Sequence, residues 1–169
     1  MPRRADDVLA QAVAAERVPA QYRPGLLARR EGPALARAVL ALELLPDVLL
    51  VDATGTDHPR RAGLAVHLGA VTGIATVGVT QRLLVARGPS PELRRGAMEP
   101  VRVDDRVVGF WVCTKTGARP VVAHAGWRTS PESAARVVLA ASTDAARTPV
   151  PLQEARRVAR EARALAGAG

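Results

Sequence analysis

Aromatic residues are nearly absent from this sequence: they make up 2% of its 169 residues, as two Trp, one Tyr and one Phe. Leu, Val and Ala must therefore fill most of any core. Because hydrophobic residues still account for 48% of the chain, we expect a folded domain and not a disordered one. The single cysteine, Cys113, excludes an intrachain disulfide and a cysteine zinc cluster, and it indicates a reduced, cytoplasmic setting.

Long apolar runs are absent as well. No stretch reaches the roughly 18 residues that a membrane span needs, so no membrane partner is expected. Arg3 and Arg4 are followed by Asp6 and Asp7 and not by an apolar segment, so we predict no signal peptide.

Lysine occurs once, at Lys115, so arginine carries nearly all of the positive charge. The net charge of +8 and the pI of about 11.3 favour polyanionic partners, nucleic acid first. An arginine-rich proteome would raise the pI in the same way, and a net charge does not locate a patch. Composition alone therefore leaves nucleic-acid binding open.

The middle of the chain predicts a βαβ unit. Residues 47–53, "DVLLVDA", form an apolar run of strand length, typical of a strand covered on both faces. Residues 60–73 have a helical pattern, and residues 74–80, "IATVGVT", predict a second buried strand. This spacing favours parallel neighbours. Because sites in open α/β sheets gather at the carboxyl ends of strands, Asp52 lies in a favourable place for chemistry.

Further helices and a hairpin complete the expected α/β fold, a mixed sheet flanked by helices. A helix is expected to start at Glu31-Gly32-Pro33 and to stop before Pro46. "VRVDDRVVGFWVC" predicts a hairpin with Asp104-Asp105 at its turn. Ser130 is expected to cap a later helix, and a last helix is expected over residues 153–167.

A collinear series of motifs resembles the endonuclease V family of deoxyinosine 3′-endonucleases. "PDVLLVDATGTDHPRRAGLAVHLG" followed by "IATVGVTQRLL" is similar to the family's strand ending V-D-G-x-G, its H-P-R-R, a helix, and a strand ending G-V-A-K. "QYRPGLLARREGP", "GARPVVAHAGWRTS" and "RTPVPLQEARRVARE" resemble three further family segments. The likeness covers about residues 8–165, which we expect to be the core of one domain spanning residues 1–169.

The resemblance implies a ribonuclease-H-like sheet and a hydrolase that nicks DNA 3′ to deoxyinosine in the repair of deaminated bases. It implies Mg²⁺ as the cofactor, with Mn²⁺ as an alternative metal. Some relatives act on inosine-containing RNA, so the expected partner is DNA or RNA that contains inosine. Neither the preference between the two nor the oligomeric state follows from the sequence.

Asp52 and Glu31 match the family's acidic metal-site residues. A carboxylate at the end of a buried strand needs a cationic partner, and Mg²⁺ prefers oxygen ligands. The alternatives are that Asp52 caps the next loop and that Glu31 only stabilises a helix start. By resemblance, the two carboxylates are the candidate catalytic and metal-binding residues.

Tyr22, with Pro24, resembles the family's wedge, an aromatic ring that enters the base stack while the lesion leaves the helix. An ordinary loop tyrosine is the alternative, and the family's first proline is Gln21 here.

Positions around the family's flipped-base pocket match glycines, a leucine and a histidine. These candidates are Gly25, Leu27, Gly55 and His58. Glycine allows the backbone to approach a base edge closely, whereas His58 could instead cap the following helix.

Arg60 and Arg61 are candidate phosphate contacts, although an arginine pair at a helix start is often only solvated.

Several positions depart from the family's motifs. Gln81 replaces the lysine after G-V-A, which removes a cation that would stabilise phosphate charge. Trp127 replaces the histidine of the P-G-H loop, and tryptophan neither ligates a metal nor shuttles a proton. His124, three residues earlier, is the candidate substitute. Ala53 and Thr54 replace the glycine and histidine after the strand aspartate.

The largest departure from the family's pattern is at the N-terminus. Residues 8–18 read as an alanine-rich helix or as an alternating strand, and by resemblance they would be the family's third strand. The first two strands and the first metal-binding aspartate then have no counterpart, and neither Asp6 nor Asp7 matches that position. We therefore expect an N-terminally truncated sheet, either because the true start lies upstream or because this protein has lost that carboxylate.

Three hypotheses follow. The first is a Mg²⁺-dependent nuclease of inosine-containing nucleic acid. The second is a degenerate relative that binds nucleic acid without cutting it, favoured by the changes at Gln81 and Trp127 together with the missing first aspartate. The third is an α/β domain whose charge is incidental.

Overall fold

The computed structural model describes residues 7–15 and 27–167. Its helices and strands, in chain order, are α1 Leu27–Leu40, β1 Val48–Val51, α2 Leu64–Thr72, β2 Ala75–Thr80, β3 Met98–Val103, β4 Arg106–Val112, β5 Val121–Ala125, α3 Pro131–Ala140 and α4 Val150–Gly167.

The five strands form one mixed sheet in the order β1-β2-β5-β4-β3. β1 and β2 run parallel, with Val48 opposite Ala75 and Val51 opposite Gly78. The other three pairings are antiparallel. The predicted βαβ unit and the predicted mixed sheet are both confirmed.

Local chemistry explains where several elements end. Gly73 stops α2 in a left-handed conformation, φ 75°, and its N–H bonds to Gly69 O. Ser130 caps α3 as expected, since its hydroxyl accepts a hydrogen bond from Ser133 N at 3.1 Å. The hairpin turns at Asp104, which also has a positive φ of 52°.

Alternating side chains of β1 point to opposite faces of the sheet. Leu50 packs against the core under α3 and α4, whereas Leu49 and Val51 pack against α1 and α2. The molecule is therefore layered, with α1 and α2 on one face and α3 and α4 on the other. Valine, alanine and leucine make up the buried part of both cores, as the scarcity of aromatic residues requires.

Two sequence-based expectations are corrected. α1 begins at Leu27 and not at Glu31, so Pro33 lies inside the helix. The reason is packing. Ala28, which precedes the expected start, packs with Ala36 against α2. This contact stabilises the turn before Pro33, although the proline removes one helical hydrogen bond.

The segment expected to be a helix or the front strand, residues 8–18, is described over residues 8–15. These residues are neither helix nor strand, and the side chains of Val8, Leu9 and Val13 are exposed. Across the described ranges, no helix is long and apolar enough to cross a membrane.

Candidate functional site

Asp52 follows the last residue of β1 and lies at the carboxyl end of the sheet's parallel pair. It continues the alternation of Leu50 and so faces α4. There its Oδ2 accepts two hydrogen bonds from Arg156, from Nη2 at 2.6 Å and from Nε at 3.0 Å. Both side chains remain accessible, at 52% for Asp52 and 40% for Arg156. The cation beside this carboxylate is thus a guanidinium.

The position of Arg156 follows from the packing of α4. Leu152, one turn earlier on the same face, is buried in the core under the sheet. Pro149 is fully buried at the start of the helix, and Gln153 Nε2 donates to Thr148 O at 2.6 Å. These contacts place the first turns of α4 over the end of β1.

A small cleft of about 10 Å³ separates the strand ends from α4. Its polar lining consists of Asp52, Thr80, Gln81, Thr148 and Arg156. Its apolar lining consists of Val79, Val121, Pro149 and Leu152.

Gln81 is held by a second arginine. Arg147 Nη1 donates to Gln81 Oε1 at 3.2 Å, and its Nη2 donates to Pro120 O at 2.7 Å. Burial, and secondarily the charge of Arg119, lowers the pKa of Arg147. The positive charge that Gln81 does not supply is thus provided by a residue from the loop before α4.

Glu31 is exposed on α1, on the face of the sheet opposite α4. No hydrogen bond or ion pair links Glu31 to Asp52, both of which lie in the described part of the chain. The structure therefore does not bring the two predicted metal ligands into contact.

The loop after Asp52 is built tightly against β5. A Cβ at Gly55 would overlap the carbonyl oxygen of Ala125, which also accepts a hydrogen bond from Thr56 N at 2.9 Å. Close backbone packing is thus the observed reason for glycine here. His58 is buried, and its Nδ1 accepts a hydrogen bond from Arg60 N at 3.1 Å, which stabilises the turn before α2.

Asp57 is a fully buried acidic residue that is absent from the candidate residues named above. Its buried carboxylate accepts three backbone hydrogen bonds, from Leu84 N at 2.9 Å, Val85 N at 2.8 Å and Ala86 N at 2.7 Å. It therefore anchors the segment that follows Gln81. The only sequence signal was an aspartate next to His58, which gives no hint of a partner 27 positions away.

His124 lies within β5 and not on the loop that follows this strand. The ring is fully buried; Nε2 is 2.7 Å from Thr80 Oγ1, and Nδ1 is 3.8 Å from Asp57 Oδ2. Burial lowers its pKa to about 4, against the smaller opposing effect of the Asp57 carboxylate. His124 is enclosed and does not line the cleft, so it is poorly placed to substitute for the family's histidine.

Trp127 lies at the other end of the sheet from Asp52. Its backbone N–H donates to Thr76 Oγ1 at 2.8 Å, and its backbone carbonyl accepts from Thr76 N at 2.9 Å. Its side chain packs against Gly69. Since Thr76 is near the start of β2 and the cleft is at its end, Trp127 serves the turn after β5 and not the cleft.

The two candidate phosphate contacts differ. Arg60 is exposed, whereas Arg61, with φ 56°, forms an ion pair with Asp104 Oδ2 at 3.3 Å.

Tyr22, Pro24 and Gly25 lie outside the described residues, and Leu27 is the first residue of α1.

Comparison with known proteins assigns the family. A model of endonuclease V matches residues 3–157. The chain belongs to the endonuclease V family. The endonuclease V of Roseiflexus castenholzii is 42% identical over 133 residues, which are 78% of this chain and 60% of the relative. The chain therefore spans about three fifths of that protein's length.

Solved endonuclease V structures share the fold, which is ribonuclease-H-like. The Streptomyces avermitilis protein superposes with a TM-score of 0.81 at 35% identity, over 87% of this chain and 64% of that one. A Ciona intestinalis endonuclease V, in complex with a 24mer DNA containing an inosine followed by a ribo-adenosine, has a TM-score of 0.71 at 24% identity, over 86% of this chain and 68% of that one.

Endonuclease V proteins are generally metal-dependent nucleases, so the fit of a metal can be tested against this cleft. In residues 7–15 and 27–167, no three His, Cys, Asp or Glu side chains are grouped so that they could hold a metal ion. The one carboxylate of the cleft is bound by Arg156. The observed arrangement of these residues does not fit a divalent metal.

Proposed function

We propose that this protein binds inosine-containing DNA or RNA, with the Asp52 cleft contacting the sugar–phosphate strand. The observation that supports this proposal best is the pair of arginines, Arg147 and Arg156, at the carboxyl end of the parallel strands. Family membership supplies the substrate class, and the net charge of +8 agrees with a polyanionic partner.

Arg156 has the geometry that this role needs. Its Nε and Nη2 bind Asp52, which orients the guanidinium, and its Nη1 forms no hydrogen bond within the described residues. A guanidinium oriented by a carboxylate still has N–H groups for a phosphate oxygen, and such charge-assisted hydrogen bonds are strong. The side chain is 40% accessible, so a strand can reach it.

The remaining roles in this proposal come from the resemblance. Tyr22 and Pro24 would open the duplex, and Gly25, Leu27, Gly55 and His58 would surround the displaced base. The observed packing of Gly55 and His58 is compatible with these roles, because both residues shape the loop that follows Asp52.

A second candidate function is Mg²⁺-dependent hydrolysis 3′ to inosine, with Asp52 and Glu31 on the metal and Mn²⁺ as an alternative. The observation that favours it is the position of Asp52 at the carboxyl end of β1, half exposed and with Oδ1 free of hydrogen bonds in the described part of the chain. It requires Asp52 to leave Arg156 and Glu31 to approach. A cytoplasmic location stays a prediction, as it rests on Cys113 alone.

A labelled duplex with one inosine, compared with the same duplex carrying adenine, tests both functions. For the binding function we expect retention of the inosine duplex in EDTA, and no nicking when Mg²⁺ or Mn²⁺ is added. Nicking that needs the metal and disappears in Asp52→Ala would favour the nuclease. Asp47→Ala, an exposed aspartate before β1, is the matched control. Equal weak retention of both duplexes would refute inosine recognition.

A further inference from the structure

We infer that Arg156 is a built-in cation for Asp52, which occupies the place of a divalent metal and keeps metal ions out of the cleft. Two donors of one guanidinium meet one carboxylate oxygen at 2.6 Å and 3.0 Å, which lie on either side of the range of about 2.7–2.9 Å for charge-assisted hydrogen bonds. The inference concerns the cleft without nucleic acid, so it stands independently of the proposed function.

The packing of α4 fixes the position of the Arg156 guanidinium. Arg156 lies one turn beyond Leu152, which is 5% exposed in the core, and Pro149 at the start of α4 is fully buried. Moving Arg156 away from Asp52 through the backbone would therefore expose apolar surface. Only rotation of the side chain can release the carboxylate.

Other oxygens of the cleft are poor substitutes for metal ligands. Thr80 Oγ1 donates to Arg82 O at 2.7 Å and also contacts His124 Nε2, while Gln81 Oε1 accepts from Arg147. Asp52 is the one acidic side chain in the lining of the cleft. A hard divalent cation prefers several anionic or carbonyl oxygens, and here it would find one carboxylate beside a positive charge.

The charge balance of the cleft follows. One carboxylate faces Arg156, and Arg147 adds a second positive charge at Gln81. Divalent cations are therefore repelled, and a phosphate group is attracted to the free donors of the guanidinium.

Mn²⁺ binding to the purified chain, measured by electron paramagnetic resonance without nucleic acid, tests the inference. We expect no Asp52-dependent binding in the wild type. Arg156→Ala should bind Mn²⁺ with an affinity at least about tenfold higher than that of the wild type, because a positive charge beside the Asp52 carboxylate is removed. The double variant Asp52→Asn with Arg156→Ala should lose this gain.

Two controls make the result decisive. Arg163→Ala removes an exposed arginine of the same helix and should leave Mn²⁺ binding as in the wild type. Arg156→Gln removes the charge but keeps a polar side chain, and it should reproduce the gain if Arg156→Ala is poorly folded. Wild-type binding of Mn²⁺ that Asp52→Asn abolishes would overturn the inference, and so would a folded Arg156→Gln variant with no gain.

Discussion

His124 Nε2 lies 2.7 Å from Thr80 Oγ1 in the interior of the sheet. The Thr80 hydroxyl donates its proton to Arg82 O at 2.7 Å, so the histidine nitrogen is the donor in this contact. Nδ1 is then the unprotonated nitrogen, buried without a hydrogen-bond partner among the described residues and 3.8 Å from Asp57 Oδ2. The fold therefore holds His124 in its neutral form.

The first prediction is that the free energy of unfolding decreases as the pH falls through the range in which His124 titrates. Burial lowers its folded-state pKa from 6.5 to about 4. Between these pH values the unfolded chain binds a proton that the folded chain does not, so this contribution is complete above pH 6.5 and is lost as pH falls towards 4. The unfolding free energy from urea titrations should fall by up to about 1.4 kcal/mol per pH unit.

His124→Gln should flatten this slope, because the titrating group is gone. His67→Gln, at an exposed position on α2, should keep it. An unchanged slope in His124→Gln would assign the pH dependence to other groups.

The second prediction concerns Asp57. Asp57→Ala leaves three backbone N–H groups without their carboxylate, and we expect the unfolding free energy to fall by about 3 kcal/mol or more. Asp57→Asn keeps one acceptor oxygen, so its loss of unfolding free energy should be smaller than that of Asp57→Ala. Asp47→Ala, at an exposed aspartate, should change it by no more than about 0.5 kcal/mol in the same urea titration.

The strands of the site could be predicted because their local pattern agrees with their environment. β1 and β2 are apolar runs bounded by polar loops, and both are covered on two faces. That pattern placed Asp52 at a strand end, which is where the structure has it.

Arg156 could not be predicted, because its partner is 104 positions away. In the sequence it is indistinguishable from its neighbour Arg157, which pairs with Glu154 and Glu161 on the exposed side of the same helix. Arginine and glutamate at helical spacing indicate a solvated face, and only the burial of Leu152 decides which arginine turns to the sheet. The start of α1 was missed for a similar reason, since tertiary packing outweighs the local signal of Pro33.

The third prediction tests the close approach of the loop to β5. Gly55→Ala would drive a methyl group into the carbonyl of Ala125, and the backbone on both sides must move. We expect a loss of unfolding free energy of about 1–3 kcal/mol, as for other overpacked sites. Gly32→Ala is the contrasting control. Its new methyl lies nearest the ring of exposed His67, at 3.1 Å, which is a side chain and not backbone, and alanine favours the helix by up to about 1 kcal/mol. Equal effects of both substitutions in thermal unfolding would contradict the role given to Gly55.

The fourth prediction concerns the salt dependence of nucleic-acid binding. If Arg156 contacts a phosphate, Arg156→Gln should weaken binding of the inosine duplex and reduce the slope of log K against log salt by about 1. Arg163→Gln removes the same charge from an exposed position of α4 and should leave the slope unchanged. Fluorescence anisotropy over a range of NaCl concentrations in EDTA gives both slopes. A parallel shift of the two variants would mean that Arg156 acts only through net charge, and its place beside Asp52 would then have no part in binding the strand.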